Sequence, residues 1–213
     1  MPFINLNRQF VEWRKDTNVD PEWFAFYSLS GKLTWKDLLS RQRVVILAEA
    51  GSGKSEELKE QARTLSEEGK FAFYATVEAV GKDGLEDALS SSDRTELVEW
   101  RSSDQPAWFF LDSVDEAKLD GVRLDAALRK VADGIANAET RSRIILSGRH
   151  TDWEYTRDLE RLNYRLPITK PQTVPSAPSP DELLIKTLHR RHKEPDPTPK
   201  EEPLVVLMAG LNT

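Results

Sequence analysis

Short runs of β-branched, aromatic and aliphatic residues alternate with longer polar stretches of helical period through the middle of the chain. The runs at 43–48, 71–77, 107–112 and 143–147 each have strand length and strand composition. A further run at 164–168 reads as a fifth strand, and Pro167 marks it as a sheet edge because proline cannot donate to a ladder. Between the runs the pattern predicts helices over about 54–68, closed by Gly69, and over 85–101, 122–137 and 152–162. Strands that are apolar throughout and separated by helices imply a mainly parallel sheet covered on both faces, hence a three-layer α/β core of five strands. The first 42 residues are less periodic: 7–15 reads as helical, 22–29 as a strand, and Thr34-x-x-Asp37 as a helix cap.

Proline placement divides the chain. Eight of its 12 prolines fall in 171–203, a composition that suits a linker and neither a packed sheet nor a long helix. Within that stretch Ser179-Pro180-Asp181-Glu182 followed by LLIKTLHRRH predicts one short helix over 181–192. The expected organisation is a lead-in segment at 1–42, the core at 43–170, the linker at 171–203, and the start of a truncated following domain at 204–213. An apolar LVVLM at the end of a linker needs something to pack on, so a fragment of a longer polypeptide is expected.

Composition narrows the chemistry. The chain has no cysteine and three histidines, which excludes disulfides, thiol nucleophiles and zinc–thiolate sites. A formal charge of −6 argues against attraction to nucleic acid or an anionic membrane, so no direct nucleic-acid or membrane partner is expected. No apolar run approaches the roughly 18 residues of a membrane span, and the first 15 residues lack the basic start and apolar stretch of a secretory signal. A cytoplasmic protein is the expectation.

The strand at 43–48 leads directly into Ala48-Glu49-Ala50-Gly51-Ser52-Gly53-Lys54-Ser55, after which the helical pattern begins. That is the setting of a phosphate-binding loop. Gly51 and Gly53 can adopt backbone angles closed to other residues, so that successive N–H groups turn inward around an anion. Lys54 then reaches the phosphates, Ser55 meets Mg²⁺, and the helix N-terminus adds its partial positive charge. The first glycine of the usual pattern is here Ala48, a difference of one methyl group. An ordinary Gly-Ser turn before a helix is the plain alternative, made less attractive by the strand before it.

A second constellation is Trp108-Phe109-Phe110-Leu111-Asp112-Ser113-Val114-Asp115-Glu116, an apolar strand ending in carboxylates. Ligands of parallel sheets sit at the carboxyl ends of strands, where Asp112 can hold Mg²⁺ through water and Asp115 or Glu116 can orient an attacking water. A solvated acidic turn is the alternative. Arg149 follows the strand at 143–147 and offers a planar fork to a γ-phosphate, or else pairs with surface acids. His150 reads as a spectator, the six tryptophans as packing residues, and the basic cluster at 190–193 as an ordinary helix end.

Together AEAGSGKS, FFLDSVDEA and RIILSGRHTDW resemble the nucleotide-binding core of STAND-class P-loop ATPases, specifically NACHT-like modules of large bacterial signalling or antiviral defence proteins. The likeness spans about residues 34–169. It implies a P-loop NTPase core in which Lys54 and Ser55 hold the Walker A positions, Asp112 the Walker B metal position, Asp115 and Glu116 the trailing acidic pair, and Arg149 the arginine after the sensor strand. Ser113 stands where glycine is commoner. It implies that the strand at 143–147 is inserted between the two Walker strands, and that ATP or ADP with Mg²⁺ is the ligand. It also implies lid, sensor and effector domains beyond this chain, with ligand-induced oligomerisation of a full-length protein left open. The expected activity is an ATP-binding, slowly hydrolysing switch. A small-molecule P-loop kinase and a non-hydrolysing nucleotide-bound interaction module are the alternatives.

Overall fold

The computed structural model describes residues 8–13, 32–114, 117, 123–168 and 202–208. In chain order the elements are β1 (Phe10–Glu12), α1 (Trp35–Leu39), β2 (Arg43–Leu47), α2 (Lys54–Glu67), β3 (Phe71–Thr76), α3 (Val77–Asp83), α4 (Ser91–Arg101), β4 (Ala107–Asp112), α5 (Leu124–Gly134), β5 (Ser142–Gly148), α6 (Tyr155–Arg165) and β6 (Leu204–Met208). The strands form one six-stranded sheet in the order β1-β6-β2-β5-β4-β3, parallel except where β1 runs antiparallel to β6.

Every residue of β2 and of β4 is buried, as expected of interior parallel strands covered on both faces. Alternate side chains go to opposite faces. Val45, Leu47, Phe109, Leu111, Ile144 and Leu146 pack beneath α3 to α6. Val44, Ile46, Phe110 and Ile145 pack against α1 and α2 on the other side. Each helix supplies a matching stripe: Leu58, Ala62 and Leu65 on α2, and Leu124, Ala127, Leu128 and Val131 on α5. With helices on both faces, the arrangement is compatible with a three-layer α/β fold.

Several expectations are corrected. The run at 164–168 is not a strand: Tyr164 and Arg165 end α6, and Leu166 caps it. Helical spacing wins because Leu159, Leu162 and Leu166 are buried at intervals of three and four, while Tyr164 is 76% exposed. A further parallel strand is instead β6, paired with β2 from Val44↔Leu204 to Leu47↔Leu207. The segment 204–208, expected to open a following domain, thus belongs to the core sheet, where Val205 and Val206 find the packing that an apolar run requires. Phe10–Glu12 is extended where a helix was expected, because pairing with β6 buries Phe10 edge-on to Trp35 with ring centroids 5.1 Å apart. The helix expected over 85–101 begins only at Ser91, after Gly84 (φ +101°) ends α3 and the Ser90 hydroxyl caps the Asp93 N–H at 3.2 Å.

The cap at Thr34 and Asp37 is present: Asp37 Oδ2 accepts from the Thr34 N–H at 2.8 Å and from its hydroxyl at 2.7 Å. These bonds hold the Asp37 carboxyl below its ordinary range. The strand expected at 22–29, the helix at 181–192 and the acidic residues Asp115 and Glu116 lie outside the described residues. Among the described residues no helix is long and apolar enough to cross a membrane.

Candidate functional site: a cleft at the carboxyl ends of β2, β4 and β5

β5 lies between β2 and β4, with Leu47 opposite Gly148 and Leu111 opposite Leu146. This register brings the loop after β2, Asp112 and Ser113 after β4, and Arg149 after β5 to one end of the sheet. The position of β5 is the one that the resemblance implies. A cleft of roughly 240 Å³ opens there, lined by Ala50, Gly51, Ser52, Gly53, Lys54, Ser55, Glu56, Ser113 and Arg149.

The loop has the backbone that the sequence requires. Gly51 and Gly53 both take left-handed conformations, φ +72° and +85°, which only glycine adopts without steric cost. Gly53 is the N-cap of α2, with no side-chain cap, and the first-turn residues Lys54, Ser55 and Glu56, whose N–H groups have no intrahelical partner, line the cleft. Lys54 Nζ folds over the loop and donates to the Ala48 and Glu49 carbonyls at 3.3 and 3.0 Å. Glu49 belongs to the loop but is not among the residues that line the cleft; its Oε1 lies 3.2 Å from His150 Nδ1.

Asp112 is 2% exposed and ends β4, one residue before the cleft residue Ser113. Asp112 Oδ2 accepts from the Tyr74 hydroxyl at 2.8 Å, and its Oδ1 accepts from the Ser147 hydroxyl. Ser147 Oγ accepts in turn from the Ser113 N–H at 3.2 Å. That bond helps hold Ser113 at φ +64°, a strained conformation for a residue with a side chain. The position where glycine is commoner in the resembled family is therefore one where the backbone favours glycine. Arg149, just past β5, also lines the cleft.

The structure thus brings together Ala50 to Ser55, Arg149 and the Asp112–Ser113 turn, and it adds residues that the sequence had not singled out. Ser147 carries a hydroxyl near the end of the buried strand β5 and Tyr74 one near the end of the edge strand β3, a signal that could have found them. Arg8 and Glu57 form a buried ion pair behind the loop, with Nε to Oε1 at 3.3 Å, and Arg8 had no local signal at all. Among the described residues no group of three or more His, Asp or Glu side chains is gathered as a metal cage. No protein-family model matches the chain, and no curated protein is significantly similar to it.

Proposed function

We propose that the chain is the ATP-binding switch module of a NACHT-like STAND protein, one that binds ATP or ADP with Mg²⁺ and hydrolyses ATP slowly in bacterial defence or signal transduction. The observation that carries this reading is the strand-to-helix loop with two left-handed glycines, which lines one cleft together with Arg149 and with Ser113, the residue after Asp112. Backbone N–H groups and the N-terminus of α2 favour an anion in that position, and Lys54 and Arg149 add two cations.

Ser55 and Asp112 are the residues that would hold Mg²⁺. One hydroxyl and one carboxylate whose oxygens already accept hydrogen bonds leave most of the coordination to water and phosphate, which suits an ion that dehydrates reluctantly. When bound, Mg²⁺ neutralises charge on the phosphate oxygens. In this reading Lys54 reaches the β- and γ-phosphates, of which ADP keeps the β, and Arg149 contacts the γ-phosphate alone. Asp115 or Glu116 orients the attacking water and accepts its proton. A contact made to ATP alone is what permits a switch, since only differential affinity shifts a conformational equilibrium.

Thermal melting with ATP-Mg²⁺ and with ADP-Mg²⁺ tests the reading. A ligand at about 100 times its dissociation constant adds roughly 2.7 kcal/mol to the native state, and Lys54→Ala should abolish most of that gain. Asp115→Asn with Glu116→Gln should preserve binding and remove turnover. An unchanged wild-type melting curve at millimolar nucleotide overturns the proposal.

A further inference from the structure

The loop is gripped from behind by a buried guanidinium that the reading above does not use. Arg8 is 8% exposed, and its fork serves two acceptors on different elements. Nη2 donates to the Ser52 carbonyl at 2.6 Å, and Nε donates to Glu57 Oε1 at 3.3 Å. Glu57, on the first turns of α2, accepts from Trp35 Nε1 at 3.2 Å through its other oxygen. Arg8 is itself anchored by the strand that follows it. Phe10 exchanges backbone bonds with Leu33 at 2.9 and 2.8 Å and pairs with Met208 of β6.

The geometry of a peptide unit turns this grip into an orientation. The Ser52 carbonyl and the Gly53 N–H belong to one planar trans peptide, so they point in opposite directions. A bond that draws the carbonyl oxygen toward Arg8 therefore turns the Gly53 N–H away from Arg8. Arg8 lies close against Gly53 on that side, because a Cβ built there would stand 3.4 Å from Nη2. The alternative peptide orientation would bury the Ser52 oxygen without its charged donor and remove one N–H from the nest.

We infer that Arg8 is a positioning residue for the phosphate loop: by clamping the Ser52 carbonyl it holds the Gly53 N–H toward the phosphate groups that nucleoside diphosphates and triphosphates share. The inference rests on the nucleotide reading of the cleft. Arginine suits the task because its rigid fork reaches a carboxylate and a carbonyl at once, whereas an ammonium is a single point donor. Glu57 is the counter-charge that lets the guanidinium stay buried.

Isothermal titration of ADP-Mg²⁺ and ATP-Mg²⁺ into the wild type, Arg8→Lys and the pair variant Arg8→Met with Glu57→Gln tests this, alongside the melting temperature of each protein without ligand. The pair variant removes both buried charges together and so avoids a lone buried carboxylate. Arg8→Lys keeps the charge opposite Glu57 but lacks the second arm for Ser52, and it decides the question if the pair variant does not fold. Both variants should lose ADP and ATP affinity by the same factor, about tenfold or more, the worth of a charged hydrogen bond. Wild-type affinity in a folded variant would make Arg8 a structural residue only, and a loss confined to ATP would likewise overturn its assignment to the shared phosphates. If the wild type binds neither nucleotide, the reading of the cleft falls and this inference with it. Wild-type binding with unaltered variants removes the inference alone.

Discussion

The two ends of the parallel sheet differ in what surrounds their charges: cations bond backbone carbonyls at both, and at the carboxyl end they also line an open cleft. At the amino end, arginines are consumed by backbone carbonyls. Arg43, at the start of β2, is 1% exposed and donates to the carbonyls of Ser142 at 2.6 Å, Gln42 at 2.8 Å, Leu166 at 3.0 Å and Pro167 at 3.3 Å. Arg141 stacks over Trp100 at 4.3 Å and donates to the Trp100 and Arg101 carbonyls that end α4. Arg101 donates to Gly134, the last residue of α5. At the carboxyl end Lys54 and Arg149 line an open cleft, although Lys54 also donates to the Ala48 and Glu49 carbonyls, and the buried Asp112 ends β4 next to the cleft residue Ser113. The difference follows from helix direction. In a parallel α/β unit the helices return with their C-terminal carbonyls toward the amino ends of the strands and their N-terminal N–H groups toward the carboxyl ends. Cations therefore complete the structure at one end, and anions are attracted at the other.

The strongest test of this contrast is Arg43→Met, which keeps much of the side-chain bulk and removes donors from four carbonyls. Burial already pushes the Arg43 guanidinium down to about 10, so removal of a desolvated charge offsets part of the loss. The net effect should be destabilisation by about 2–3 kcal/mol, or roughly 5–10 °C in melting temperature, with nucleotide affinity of the folded protein unchanged. A loss of affinity equal to that of an Arg8 variant would erase the distinction between the two ends.

Arg149→Ala probes the cleft end alone. ATP binding should weaken by roughly 1.5–3 kcal/mol while ADP binding and the melting temperature without ligand stay almost constant. Titration with both nucleotides reads this directly. Equal losses, or none, would return Arg149 to the class of structural arginines seen at the other end.

The smallest effect is expected at Asp125, whose carboxylate takes a two-pronged bond from Arg165, Nε to Oδ1 and Nη2 to Oδ2 both at 2.8 Å, and so ties α6 to α5. The Arg165 bond holds the Asp125 carboxyl below its ordinary value of 3.8. Because the folded value is depressed, the contribution is fully present above 3.8 and is lost as the pH falls below it. Asp125→Asn should lower the melting temperature at pH 7 by no more than about 2 °C, since the pair is solvent-screened. The difference from wild type should shrink to nothing in strong acid. A persistent gap there would mean that the pair acts through packing.

What was legible in the sequence is what short-range physics decides. The strands at 43–48, 107–112 and 143–147, the glycines at 51 and 53, and the helix opening at Lys54 depend on neighbours within a few residues, and periodicity and backbone freedom report on those neighbours. The run at 164–168 misled because a five-residue stretch with Tyr, Leu and Ile about one Arg fits the end of an amphipathic helix as well as it fits a strand; only the burial of Leu162 and Leu166 decides between them. The place of 204–208 could not be read locally either, since its partners are Val44 to Leu47 on one side and Phe10 to Glu12 on the other. The grip of Arg8 on Ser52 spans 44 residues and leaves no pattern in either segment. Local sequence determined the central strands and the glycine loop between the strand at 43–48 and the helix opening at Lys54. Tertiary structure decided which strands complete the sheet and which charges are spent on structure, because those choices depend on backbone groups that the fold alone brings within hydrogen-bonding distance.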